Sequence, residues 1–270
     1  MAHWTDGYVT SNGFRMHYVH TGGDKTALVL SHGITDDGLC WTRFAKAMES
    51  EYDVIMPDAR GHGLSESLPG PFTWEDQADD LAGFIQGLGL DRPLVGGHSM
   101  GGATSFYLAA NHPDLLSLVF LEDPPFRATE PTPAQREQRG ATMHQQALAR
   151  SQMSRDQIIA DGRKEHPNWP DEEFEPWSLA KQRVRLETAA VVRPPEGQTW
   201  RQALPKVQCP ALLITADPEL GGIVTPEVAA EAKSLLPSLQ VVRLRGAGHN
   251  IRREAFDEYV TAVRQFLARS

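Results

Sequence analysis

The sequence predicts an α/β protein: a mostly parallel sheet with helices on both faces, carrying one helical insertion. Three observations predict it. Apolar segments of strand length alternate with segments of helical period in both outer parts of the chain. That rhythm stops over residues 124–204, rich in proline, charge and helical pattern, and resumes at residue 210. A serine among glycines, GGHSMGG at 96–102, directly follows one of the apolar segments.

The elements follow in order. DGYVTSNGFRMHYVHTG alternates in polarity around Asn12-Gly13, a type I′ turn signal, and predicts two antiparallel strands. ALVLSHG (27–33) is a strand ending at Gly33, and Trp41, Phe44, Ala45 and Met48 mark a helix after it. YDVIMPDARGHG (52–63) is a strand followed by a glycine-rich turn. In TWEDQADDLAGFIQGLGL, Thr73 is the N-cap candidate, with Ala78, Leu81, Ile85 and Leu88 on the inner face. PLVGGHSM is a strand running into a turn; residues 101–111 are helical and stop at His112-Pro113. LLSLVFLEDPP is a strand ended by prolines. PAQREQRGATMHQQALAR, SRDQIIADGRKEH and DEEFEPWSLAKQRV then read as separate helices. PALLITAD (210–217), a helix from Pro226, the strand LQVVRLRG and a last helix burying Ile251, Ala255, Phe256, Tyr259, Val263 and Phe266 complete the chain. The expected division is a core of residues 1–123 and 205–270 with a helical cap at 124–204. Such an insertion lies above the carboxyl ends of the strands, where open α/β sheets bind ligands, so it is expected to act as a lid.

The 270 residues are 40% apolar, ample for a core, and carry a formal net charge of −9. That balance argues against nucleic acid and anionic membrane surfaces as partners. No apolar run approaches the roughly 20 residues of a spanning helix. The first ten residues lack a charged region followed by an apolar one, so no secretory leader is expected. The two cysteines, Cys40 and Cys209, are too few and too far apart for a disulfide framework, which suits two reduced thiols in a cytoplasmic protein. No phosphate-binding loop, zinc spacing or dinucleotide fingerprint occurs, so neither cofactor nor metal is expected.

Ser99 is the candidate nucleophile. Gly97 and Gly101 flank it at i−2 and i+2, and a strand–turn–helix context would project its hydroxyl from the strand end beside a helix N-terminus. A serine hydroxyl needs a base. Of the ten histidines, His249 in RGAGHNI stands out because it lies past the last strand and before the last helix, over the same sheet edge. His32 and His98 are read as loop-supporting residues. By position, the backbone N–H groups of Met100 and of Ile34 are the candidate oxyanion donors.

Strand-HG near residue 32, DARGHGLS (58–65), GHSMGG and a terminal GAGH, in that order, resemble the α/β-hydrolase superfamily over nearly all of the chain outside the insertion. The resemblance implies an eight-stranded sheet, a triad in the order serine, acid, histidine, and oxyanion donors at Ile34 and Met100. It also implies that Asp58, Arg60 and His62 support the oxyanion loop. In such proteins the acid usually follows the strand read here as ALLITAD, about three residues beyond a small residue. Glu219 has that spacing from Ala216 and is the first candidate; Asp217, closer to the strand end, and Asp123 in LEDPP are the alternatives.

Epoxide hydrolases and haloalkane dehalogenases of that superfamily carry aspartate at the elbow, so Ser99 argues against both. Cleavage of a carboxylic ester or lactone through an acyl-enzyme is the expected reaction. The alternatives are acyl-homoserine lactone hydrolysis, C–C bond hydrolysis, cofactor-free perhydrolysis and a non-catalytic ligand-binding protein. Trp41, Phe126, Met143, Met153, Trp169 and Trp177 could line an acyl pocket or hold the insertion together. A neutral or weakly polar substrate is expected unless Arg127, Arg136 and Arg139 converge.

Overall fold

The computed structural model describes residues 4–189 and 198–268. The first three residues of the stretch read for a leader, and residues 190–197 of the insertion, lie outside the described residues. Among the described residues there are eight strands: β1 (Thr5–Ser11), β2 (Phe14–His20), β3 (Ala27–Ser31), β4 (Asp53–Pro57), β5 (Leu94–His98), β6 (Leu118–Glu122), β7 (Ala211–Thr215) and β8 (Gln240–Arg243). They form one sheet in the order β1-β2-β4-β3-β5-β6-β7-β8. β1 and β2 pair antiparallel, as do β2 and β4, while every pairing from β4 to β8 is parallel. Asn12 and Gly13 both have positive φ, 47° and 86°, as a type I′ turn between β1 and β2 requires.

The helices are α1 (Thr42–Met48), α2 (Trp74–Gly87), α3 (Met100–Asn111), α4 (Pro133–Ser151), α5 (Arg155–Glu165), α6 (Asp171–Arg183), α7 (Leu186–Ala189), α8 (Trp200–Ala203), α9 (Pro226–Leu235), α10 (Ile251–Glu254) and α11 (Phe256–Leu267). Thr73 caps α2 in a reciprocal box with Asp76. The central strands are buried on both faces, which is why they read as continuous apolar runs. Alternate residues go to opposite sides: Val29, Val95 and Leu121 pack with residues of α2, α3 and α9, while Leu28, Phe120 and Leu212 pack with residues of α1 and α11.

The single last helix expected from residue 251 onward is instead α10 and α11, broken at Ala255 (φ −131°, ψ 59°). The first turn buries Ile251, Arg252 and Arg253 together, which is not one helical face. The break gives α11 its own axis, on which Tyr259, Val263 and Phe266 face the sheet.

The helices between β6 and β7 carry a small core of their own, Ile158, Trp169, Phe174 and Trp177, with Met153 packed against it. Trp169, Trp177 and Met153 therefore hold the insertion together. Trp41 belongs to the sheet core, and Phe126 stacks on Trp200 at 4.9 Å between ring centroids.

Candidate active site

Ser99 stands at the turn from β5 into α3, with φ 53° and ψ −113°. A non-glycine residue with positive φ costs of order 1–3 kcal/mol and persists only where its surroundings demand it. Here close packing demands it. A Cβ on Gly97 would stand 2.1 Å from the Gly101 carbonyl oxygen, and one on Gly101 would stand 2.1 Å from that of Ser31. Ser99 N–H donates to Glu122 O (2.9 Å), and Ser99 O accepts from Ala103 N–H (2.9 Å), which ties the turn to β6 on one side and α3 on the other.

His249 lies after β8, and its Nδ1 is 2.6 Å from Asp123 Oδ2. The Asp123 carboxylate is fully buried and also accepts from two backbone N–H groups, that of Ile223, shared between its oxygens (2.8 and 3.1 Å), and that of Val224 (3.0 Å). Sheet register explains the partnership. His98 pairs with Glu122 across β5 and β6, so Ser99 and Asp123 are the next residues on adjacent strands, side by side at the carboxyl edge. His98 Nε2–H donates to the His249 carbonyl (3.0 Å), and the two rings lie 4.7 Å apart.

The spacing from Ala216 that favoured Glu219 does not survive in three dimensions. The 3-10 turn Pro218–Leu220 leaves the Glu219 carboxyl exposed, 3.9 Å from Arg243. Asp217 is engaged elsewhere: it accepts from Arg243 (2.7 Å) and from Gly246 N–H (2.8 Å), bracing the loop before His249. The Gly246 N–H bond, with Arg243 beside it, holds its carboxyl below the usual range. The long loop after β7 folds back so that its backbone, through Ile223 and Val224, caps Asp123.

The loop after β3 carries Ile34. Neither Ile34 N–H nor Met100 N–H has an acceptor among the described residues. The DARGHGLS segment supports this loop from below. His32 Nε2 accepts from Ala59 N–H (3.0 Å), His62 Nε2 from Thr35 N–H (3.4 Å), and Asp58 from Gly38 N–H (2.7 Å). Arg60 instead pairs with Asp80 on α2. Burial would raise Asp58, but the His17 hydrogen bond and two backbone N–H groups outweigh it and hold it low.

Three buried rings here stay neutral. Burial pushes His32 and His98 below their ordinary value, and burial with the neighbouring His32 pushes His62 down to about 3. Above pH 6.5 these shifts leave stability unchanged. Below it the unfolded chain binds protons that the folded chain refuses, so stability falls, by up to about 1.4 kcal/mol per pH unit for each ring. Asp37 works in the opposite sense. Burial and the nearby Asp58 raise it to about 7, so the folded state takes up its proton first as pH falls. A ring's share can be read by difference. Between pH 6.5 and 4.5 the urea midpoint of His62→Gln should fall less than that of the parent, because one ring that refuses a proton only when folded is gone. Equal falls in the two proteins would contradict this.

Among the three arginines, Arg136 is bound to Pro131 O (2.5 Å). Arg139 is exposed by surface area yet crowded by protein, and that crowding, with the charge of Arg127, pulls it below its usual value. A cavity of about 50 Å³ lies between α4, α6 and the loop after β3, lined by Thr35, Met143, Arg150 and Lys181 among others. Among the described residues no cluster of three His, Cys, Asp or Glu is placed to hold a metal ion, and no helix is long and apolar enough to cross a membrane.

Residues 28–262 match the model of the Alpha/beta hydrolase family. The chain belongs to that family. Among curated members, N-formylmaleamate deformylase of Pseudomonas putida is 33% identical to this hydrolase over 97% of this chain and 96% of its own. The 2-(acetamidomethylene)succinate hydrolase of Mesorhizobium japonicum is 26% identical over 92% and 90%. Among solved structures, the enol-lactonase of Burkholderia xenovorans LB400 superposes with a TM-score of 0.76 at 27% identity, covering 97% of this chain and all of its own.

Asp123, an alternative in the sequence reading behind Glu219, is the carboxylate that the structure sets against His249. Its place directly after β6 was the sequence signal for it, and the structure adds a φ of 41°, a strained position. Lys181 carried no sequence signal at all, and the structure bonds it to the loop after β3, at Thr35.

Proposed function

We propose that this chain is a serine hydrolase that cleaves a carboxylic ester or lactone through an acyl-enzyme, with Ser99 as nucleophile, His249 as base and Asp123 as the acid. The hydrogen bond from His249 to Asp123, beside an elbow serine, carries the reading. Asp123 keeps the Nδ1 proton on His249 and leaves Nε2 as the acceptor for the Ser99 proton. Ser99 Oγ attacks the acyl carbon while that proton passes to Nε2. The oxyanion takes hydrogen bonds from Ile34 and Met100 N–H. The C–O bond then breaks and the Nε2 proton goes to the leaving oxygen. A water, deprotonated by His249, releases the acid and restores Ser99. The helices between β6 and β7 act as the lid, and the setting is cytoplasmic.

The whole-chain similarity to a deformylase supports a second reading, attack on an acylated C–N bond by the same residues. One panel tests both: neutral acyl esters of graded length, acyl-homoserine lactones, N-formyl and N-acetyl amides, each with and without a carboxylate on the leaving side. Turnover of ester or lactone together with fluorophosphonate labelling of Ser99 is the expected result. Turnover confined to the amides selects the second reading. A strong preference for dianionic members would replace the neutral-substrate expectation and direct attention to Arg127 and Arg139. Absence of both labelling and turnover would mean a binding protein.

A further inference from the structure

The residue after Ile34 is Thr35, and it has φ 62°. A β-branched residue in the left-handed region is a genuine outlier, so something must hold it there. Lys181, from α6 of the insertion, donates to Thr35 O (2.9 Å), to Thr35 Oγ1 (2.8 Å) and to Asp36 Oδ1 (2.7 Å). All three ammonium protons thus go to the two residues that follow the oxyanion donor. Lys181 is 5% exposed and Asp36 4% exposed, so water does not compete for these bonds.

The same cluster reaches the histidine. Asp36 Oδ2 lies 3.1 Å from Arg253 and 3.6 Å from Arg252, four and three residues past His249 respectively. Arg253 also pairs with Glu173 of α6 (3.1 Å), and Arg252 with Glu122, the residue before Asp123 (3.3 Å). Three cations thereby face three anions, all buried. Thus α6 is joined directly to the loop after β3 and to the segment after His249, and through Asp36 and Arg252 to the strand that precedes Asp123.

We infer that Lys181 is a positioning residue: it holds Thr35 in its left-handed conformation and so aims the Ile34 N–H at the oxyanion site. The insertion is then part of the machinery that sets the oxyanion hole, beyond any part in covering substrate. This rests on the serine-hydrolase reading above. Lys181 contacts no reacting atom, so its loss should act on turnover and leave binding largely alone. A misaimed oxyanion donor typically costs about 10²-fold or more in rate.

The test uses the full chain, p-nitrophenyl acetate, a fluorophosphonate and hydrogen exchange read by mass spectrometry. Lys181→Met is expected to lower kcat by ~100-fold with KM changed less than ~3-fold, to slow fluorophosphonate labelling in parallel, and to speed amide exchange in peptides spanning residues 32–38. Glycine adopts positive φ without penalty. Adding Thr35→Gly to Lys181→Met should therefore recover ~5-fold or more of the lost kcat, which a lysine that merely stabilised the fold would not allow. If Lys181→Met fails to fold, Lys181→Met with Asp36→Asn removes one charge of each sign and carries the same expectations. Turnover within ~3-fold of the parent, a loss confined to KM, no recovery on adding Thr35→Gly, or unchanged exchange at 32–38 would each overturn the assignment. Should the parent chain neither turn over ester nor take the label, the serine-hydrolase reading fails, and the exchange arm still decides whether Lys181 orders this loop.

Discussion

Ser99→Ala is expected to abolish hydrolysis, with kcat falling on the order of 10⁵–10⁶-fold, while the protein stays folded. Loss of a triad nucleophile typically costs this much because the remaining groups cannot form the acyl bond. The fold should tolerate the change. Only Oγ is removed, the backbone hydrogen bonds from Ser99 N–H to Glu122 and from Ala103 N–H to Ser99 O are kept, and the strained φ of 53° is borne by alanine as by serine. Steady-state hydrolysis of whichever panel substrate the parent turns over, intact-mass detection of the fluorophosphonate adduct, and a denaturant melt together check it. Activity within tenfold of the parent, with the adduct still forming, would remove Ser99 from the mechanism.

Asp123→Asn should be nearly as damaging, costing about 10⁴-fold in kcat, because an amide at this site stabilises the wrong imidazole tautomer. The argument is geometric. Asp123 Oδ2 is 2.6 Å from His249 Nδ1, and the carboxylate also receives Ile223 and Val224 N–H, so it serves only as acceptor. Asparagine would turn an N–H₂ toward one of these donors. It would still accept the φ of 41°, which Asn and Asp tolerate better than most residues, so the fold should survive. Glu219→Gln should leave turnover within about twofold, since its carboxyl is exposed and its one ion pair, 3.9 Å from Arg243, is of the solvent-screened kind that contributes little. Asp217→Asn should have a small effect, through the Arg243-braced loop before His249. Kinetics of the three variants side by side decide the matter: a crippled Glu219→Gln beside an active Asp123→Asn would restore the spacing argument.

Much of this chain was legible because the relevant physics is local. Apolar runs of five residues predicted the central strands, since a strand buried on both faces has no polar side to show. Asn12-Gly13 announces a left-handed turn, Thr73 a side-chain cap, and the glycines around Ser99 a close approach of backbone to backbone, and the structure uses each of them so. His249 followed from topology, because any residue between the last strand and the following helix must cross the carboxyl edge.

What tertiary structure decided involves partners far apart in sequence. The carboxylate that meets His249 could not be chosen from spacing along one loop. That pairing rests on β6 lying next to β5 in a register that sets Asp123 beside Ser99, and on a loop 100 residues later returning its N–H groups to cap it. The aromatic residues of the insertion satisfy a helix period whether they line a pocket or pack on one another, and only packing separates the two. Lys181 is the extreme instance. In DEEFEPWSLAKQRV it reads as one more polar residue of a charged helix, and nothing within α6 asks for it to be buried. Its surroundings come from Thr35 and Asp36, some 145 residues earlier, and their neighbours Arg252 and Arg253, some 70 residues later. Periodicity records which face of an element is apolar. Burial of a charge depends on where opposite charges from other elements meet it, and that is a property of the folded chain alone.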